Sequence, residues 1–196
     1  NIVGLGAVRL LQSLLPPLVR QNDCKLEKVY LPTGSMSLDF SLFDDETTIA
    51  YYKRYLPNAI SRFLECTLFG YKFSGSTPLL VLGDIPIKCN SKQTVFVQNT
   101  LLIHGVKTGR RLGAIKYLIA RWLFMRNLQY VDNFIVQTDE MKASLIKSYP
   151  NVKGCVHVVS QPVPSWLIES KIKRKSFQGD SNKGLRLFYP AAPYPH

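Results

Sequence analysis

The sequence predicts an α/β domain in which a parallel sheet is sandwiched by helices. Three observations predict it. Short runs rich in Val, Ile, Leu and Phe alternate with longer segments whose apolar residues recur every three or four positions. The short runs are apolar throughout, as strands buried on both faces are. No internal repeat interrupts the alternation.

Composition sets the outer bounds. The 196 residues suit one domain of ordinary size. With 46% hydrophobic and 19% charged residues, the chain can build a core and is not of the disordered class. The net charge of +12 biases its partners toward anions, whether nucleic acid, anionic lipid or phosphorylated substrate. Cys24, Cys66, Cys89 and Cys155 lie far apart with no C-x-x-C pair, which argues against a zinc site and against a disulfide framework. They are expected to be buried free thiols in a reducing compartment. No secretory signal is visible, and no apolar run reaches the ~20 residues of a membrane span. Both ends, at Asn1 and at His196 after a proline-rich turn, are read as cuts in a longer chain.

Taken in order, residues 1–6 (NIVGLG) read as the end of a strand entering a glycine turn. Residues 7–21 carry Val8, Leu11, Leu14, Leu15 and Leu18 at helical spacing. Pro16 and Pro17 kink or divide that helix, because proline lacks the N–H and collides with the preceding turn. Residues 25–32 (KLEKVYLP) read as a strand, and 33–46 as a loop whose acidic run Asp44, Asp45, Glu46 can serve the first turn of the next helix. Residues 47–69 are helical in period, with Pro57 as a break. Strands are expected at 79–82, ending in Gly83-Asp84, and at 95–98. The longest helix spans 109–127, with Leu112, Ile115, Ile119, Trp122 and Leu123 recurring at three and four residues. A strand at 134–137 leads into a helix over 139–148 capped by Thr138, whose hydroxyl can accept from the open N–H groups of the first turn. A strand follows at 156–159. Residues 162–183 are polar and basic, as a linker is, and 185–189 form a last strand. The whole reads as a Rossmann-like parallel sheet.

In such a sheet, ligands bind beyond the carboxyl ends of the strands. Four strand ends carry polar or glycine residues. Gly4-Leu5-Gly6 is either a backbone approach to an anion at a helix start or a plain tight turn; the full dinucleotide fingerprint is absent. Gln98 and Asn99 leave a buried strand, and His104 follows in a loop, either as a proton carrier or hydroxyl-orienting group or as a surface histidine without a role. At the third strand end, Gln137 or Thr138 can meet substrate, or the strand and capped helix there are explained by structure alone. Asp84 is a loop carboxylate that either contacts substrate or only shapes the turn. There is no nucleophile elbow, phosphate-binding lysine loop or paired metal-ligand histidines, and His104, His157 and His196 are scattered, so serine and cysteine hydrolases are poorly supported.

Lys107, Arg110, Arg111, Lys116, Arg121 and Arg126 decorate the long helix and its approach, with no acidic residue between Lys107 and Arg126. Tyr117, Trp122 and Phe124 are interleaved, and Tyr51, Tyr52, Lys53, Arg54, Tyr55, Arg62 and Phe63 repeat the style. Cations with aromatic rings suit the interface of an anionic membrane, at about 1 kcal/mol per cation. Lys107, Arg110, Arg111, Lys116, Arg121, Trp122 and Arg126 are the expected membrane-facing set; a solvated helix face over core aromatics is the plainer alternative. No nucleic-acid-binding motif accompanies the patch.

Three segments, GLGAVRLLQSLLPPL, FIVQTDEMKASL and LRLFYPAAPYPH, together resemble the retaining glycosyltransferases of family 4, which have the two-domain GT-B architecture. The last two are the more specific: a strand ending in Q-T before a helix with an early Met, and a turn like the one that opens the donor domain. The match is scattered over most of the chain. The resemblance implies an acceptor-binding domain over 1–184, including a basic linker at 162–184, and the first strand and turn of a donor-binding domain at 185–196. It implies that Gly4 and Gly6 face the donor diphosphate, that His104 holds a cleft position with a catalytic role, and that Asp84, Gln98, Asn99 and Thr138 bind acceptor. It further implies a nucleotide-sugar donor, a UDP-sugar favoured, no cofactor and no metal, a saccharide acceptor on undecaprenyl diphosphate, and work on the cytoplasmic face of a bacterial inner membrane in O-antigen assembly. The family's paired glutamates belong to the donor domain, so residues 1–196 alone are expected to be inactive.

Overall fold

The computed structural model describes residues 14, 26–33, 47–104, 111–152 and 155–160, with the backbone alone at 58, 111–114 and 116. All of these lie in the first of two compact units, 1–162 and 163–196. The expected strand at 1–6, all of the helix at 7–21 but Leu14 (which is helical), Cys24, the loop at 34–46, the linker at 162–183 and the strand at 185–189 lie outside the described residues.

The described elements are β1 (Lys28–Pro32), β2 (Thr48–Tyr52), α1 (Asn58–Thr67), β3 (Leu79–Val81), β4 (Gln93–Phe96), α2 (Thr100–His104), α3 (Arg111–Asn127), β5 (Asn133–Val136), α4 (Asp139–Ser148) and β6 (Val156–Val158). β1 and β2 form one parallel pair, and β3-β4-β5-β6 a four-stranded parallel sheet in that order. The chain is therefore mixed α/β with parallel sheets flanked by helices, consistent with a Rossmann-like arrangement.

Two segments depart from expectation in kind, the first of them just before Pro57. Residues 48–52 (TIAYY) form a strand where a helix was expected, pairing with β1 from Lys28↔Thr48 to Pro32↔Tyr52. Two β-branched residues and two tyrosines fit a pleated surface better than a helix. Pro57 then serves as the N-cap of α1, so the helix starts there and cannot extend backward. Gly70 opens the next turn because a Cβ there would overlap the Lys88 carbonyl.

β4 begins and ends two residues earlier than expected, at 93–96. At its start, Gln93 is fully buried and fully used. Its Oε1 accepts from the Ile87 amide at 2.8 Å, and its Nε2 donates to the carbonyls of Ile87 at 2.9 Å and Tyr130 at 3.2 Å. A side chain that reads as polar surface thus pins the 82–92 connection to the sheet. At the other end, the Val97 amide still donates to Ile135 at 2.9 Å, but the Asn99 amide, the next on that side, turns away from β5.

The core lies between the four-stranded sheet and α2, α3 and α4. Val95, Val97, Phe134 and Val136 meet Ile103, Phe124, Leu145 and Tyr149. Phe124 touches the rings of Phe134 and Tyr149, with centroids 5.6 and 4.8 Å apart. Burial of each such side chain contributes about 1.5–3 kcal/mol. In α3 the three-and-four spacing identifies the helix but not its inner face. Leu123, Phe124 and Asn127 are buried, whereas Ile115, Ile119 and Trp122 face outward. Cys66 and Cys89 are buried free thiols, pushed up in pKa by burial, and Cys155 is free and half-buried.

Candidate functional site

Parallel strands bring their carboxyl ends to one rim. Extending the register Val81↔Val95 and Phe96↔Ile135 by two or three residues sets Asp84 beside Gln98, Gln98 beside Gln137 and Asn99 beside Thr138. Ser160 continues the row past β6, whose Val158 pairs with Val136. Neighbours in such a row are about 5 Å apart.

Asp84 carries the most unusual backbone of the row. Its φ is 62°, the only positive value among the described non-glycine residues. The left-handed region costs an L-residue about 1–2 kcal/mol, and Asp and Asn tolerate it best. The Ile85 amide closes back on the Gly83 carbonyl at 2.7 Å, a γ-turn with Asp84 at its centre. The carboxylate points inward. Its Oδ1 accepts from the amides of Gln98 at 2.6 Å and Asn99 at 3.1 Å, which is where those two amides go when β4 ends. Burial pushes the Asp84 pKa above the ordinary carboxylate value, and the two amide bonds oppose that rise.

Arg62 of α1 holds this turn from outside. Its Nη2 donates to the carbonyls of Gly83 at 3.2 Å and Ile85 at 3.0 Å, and its Nη1 faces Glu65 at 3.5 Å. Arg54 closes on Glu65 in a bidentate pair at 2.6 and 2.8 Å and donates to the Tyr52 hydroxyl at 3.2 Å. Arg54 and Glu65 side chains are both 7% exposed. This network escapes sequence reasoning because its members are spread over β2, α1 and the 83–85 turn; the only signal is the buried-looking Arg-Glu spacing inside an otherwise apolar stretch.

The remaining expected residues divide. The Gln98 amide group, half-buried at the rim, has no hydrogen-bond partner among the described residues, so it is available to a ligand. Asn99 spends its Oδ1 on the Leu101 amide at 3.0 Å and thereby starts α2. Thr138 is an exposed N-cap, its hydroxyl oxygen accepting from Met141 at 3.2 Å, which leaves its own O–H to donate. Asp84 is committed to the backbone and does not face outward. Ser160, exposed at the end of the row, was not singled out from sequence.

His104, expected in a loop beside the strand tips, is instead the last residue of α2. α2 leads away from the rim. The Ile103 carbonyl accepts from Ser148 at 2.9 Å and Arg121 at 3.1 Å, and the Leu102 carbonyl from the Tyr149 hydroxyl at 2.7 Å. Ser148 ends α4, about 15 Å along the helix from Thr138. His104 is therefore exposed but set apart from Asn99 and Thr138. Gly4 and Gly6 lie outside the described residues.

A second surface lies on α3. Ile115, Leu118, Ile119, Trp122 and Met125 are exposed on one face, at 45–64% for all five. Trp122 stacks on Phe63 of α1 (centroids 6.4 Å, 9° between planes), and the Arg126 guanidinium sits 5.1 Å over the Trp122 ring. Of the expected cationic row, Lys107 and Arg110 lie outside the described residues, and only the backbone of Arg111 and Lys116 is described. Arg121 is a correction to that row: it turns inward to cap α2 and to face the Tyr149 ring. No helix among the described residues is long and apolar enough to cross a membrane. Among the described residues, no group of three or more His, Cys, Asp or Glu is placed to hold a metal ion.

Comparison with protein-family models, with curated proteins and with solved structures found no match.

Proposed function

We propose that the chain is the acceptor-binding half of a retaining GT-B glycosyltransferase of family 4. In this reading the partner domain binds a nucleotide sugar, favourably a UDP-sugar such as a UDP-N-acetylhexosamine. The sugar passes with retention to a saccharide on undecaprenyl diphosphate, at the inner face of a bacterial inner membrane, in surface-polysaccharide assembly.

The observation that carries the reading is the polar row on one rim. Gln98 offers an amide with no partner among the described residues, and Thr138, in register with the adjacent Asn99, offers a hydroxyl donor on the same rim. Groups of this kind bind sugar hydroxyls, and their contribution to transfer is proximity and orientation of the attacking acceptor oxygen. The leaving diphosphate is stabilised from the donor side by positive groups and helix N-termini. His104 is not assigned a role, because α2 carries it away from this row.

The test is the full-length encoded protein assayed against a panel of nucleotide sugars with a lipid diphosphate saccharide as acceptor. Transfer with retained anomeric configuration supports the reading, and absence of transfer from every donor overturns it. Residues 1–196 alone are expected to give negligible turnover.

The exposed apolar face of α3 favours a second reading, a non-catalytic module seated on anionic membrane. Sedimentation of the chain with anionic and neutral liposomes tests the electrostatic part of it. Equal binding to both removes that part, since each cation near an anionic surface contributes about 1 kcal/mol.

A further inference from the structure

We infer that Asp84 is the positioning residue of the rim: its carboxylate fixes the two amides that follow β4 and so sets where Gln98 and Asn99 stand. The inference rests on the proposed reading of the rim as an acceptor wall and assigns Asp84 a part in it that differs from direct contact with acceptor.

β4 stops pairing with β5 after Val97, whose amide still donates to Ile135. The Asn99 amide, the next that would face β5, and the Gln98 amide, which faces the β3 side, both need an acceptor, and Asp84 Oδ1 takes them at 3.1 and 2.6 Å. The consequence is local. Asn99, held by its amide, accepts from Leu101 through its own side chain and launches α2, while the Gln98 side-chain amide has no partner among the described residues.

Asp84 reaches this place only through a left-handed backbone, at φ 62°, inside the γ-turn closed by Ile85 on Gly83. Strain of that sort persists where the surroundings over-determine it. Here the surroundings are Arg62, which donates to the carbonyls on both sides of Asp84, at 3.2 and 3.0 Å. Arg62 in turn faces Glu65, Glu65 holds Arg54, and Arg54 donates to the Tyr52 hydroxyl. Hydrogen bonds and one ion pair therefore link the tip of β2, through α1 and the 83–85 turn, to the tip of β4. A turn needed only to reverse the chain requires none of this, and glycine would serve it better.

Two substitutions separate the carboxylate from the backbone. Asp84→Gly keeps the left-handed turn and removes the acceptor; Asp84→Asn keeps both the turn and a side-chain oxygen. The first measurement is amide hydrogen exchange of the 196-residue chain. Asp84→Gly should speed exchange at Gln98 and Asn99 about tenfold, as loss of one hydrogen bond does, with Val95 and Val136 unchanged. Asp84→Asn should stay near wild type. The second is steady-state kinetics of the full-length protein, where Asp84→Gly should raise acceptor KM about tenfold with donor KM unchanged, and Asp84→Asn should restore it.

Unchanged exchange at Gln98 and Asn99 in Asp84→Gly would overturn the positioning role. So would loss of protection throughout the sheet, which marks a general fold stabiliser, or a parallel rise in donor KM. A wild type that transfers nothing overturns the acceptor-wall reading instead, and the exchange data then decide the positioning role by themselves.

Discussion

Replacing Gln93 by Met probes the joint on which the rim depends. Gln93 is fully buried at the base of β4, and its side chain satisfies three backbone groups: the amide and carbonyl of Ile87 and the carbonyl of Tyr130. Methionine fills nearly the same volume and offers none of these bonds. Each orphaned buried group costs about 1–3 kcal/mol, so the substitution should destabilise by about 3–5 kcal/mol after relaxation. That is a large share of the ~5–15 kcal/mol that holds a typical domain. With a urea slope of about 2 kcal/mol per molar, the denaturation midpoint should fall by about 1.5–2.5 M. The wild-type geometry also predicts the behaviour of Gln93→Glu. One oxygen keeps the Ile87 amide, while the other meets two carbonyls and needs its proton. The folded-state pKa of that Glu is raised, so its stability is present below the ordinary Glu value and is lost as pH rises through the raised one. A midpoint shift under about 0.4 M for Gln93→Met, or a pH-independent Gln93→Glu, would refute this reasoning.

Thr138→Ala should cost about 1 kcal/mol by urea denaturation through loss of the Met141 cap, and Thr138→Ser should recover it. Arg54→Met should cost about 3 kcal/mol, at the low end for a broken buried pair because Arg62 still faces Glu65; differential scanning calorimetry of the single and the Arg54→Met, Glu65→Gln double substitution checks it. Asp84 has a raised folded pKa, chiefly from burial, so its ionisation weakens the fold: stability is fully present below the ordinary Asp value and declines as pH rises through the raised one. Asp84→Asn should therefore gain stability relative to wild type across that interval, and denaturation midpoints that track each other at every pH would contradict it.

What could be read from sequence was local. The cap at Thr138 lies three residues from the amide it serves, and the strands at 79–82, 134–137 and 156–159 were marked by short apolar runs between helices. Non-local pairing was not readable. TIAYY has a periodicity compatible with a helix, and only β1, twenty residues earlier in register, makes it a strand. At the end of β4, Asp84, fourteen positions upstream of Gln98, takes the Gln98 amide on the β3 side and draws the Asn99 amide away from β5. The apolar stripe of α3 was real, yet the helix is apolar on two sides, and the contact of Phe124 with Phe134 and Tyr149 decides which side is buried. His104 followed the strand tip in sequence, but the Asn99 cap turns the intervening residues into a helix that carries it off.

The central claim is that the row after β4, β5 and β6 binds a saccharide acceptor. An NMR titration of the isotope-labelled chain with a short-lipid saccharide diphosphate tests it most directly, since it needs no donor and no turnover. The account predicts saturable shifts at the amides of Gln98, Asn99, Gln137, Thr138 and Ser160 together. Shifts confined to the opposite edge of the sheet, at Gln129, Asn151 and Cys155, or none in the row, would contradict it.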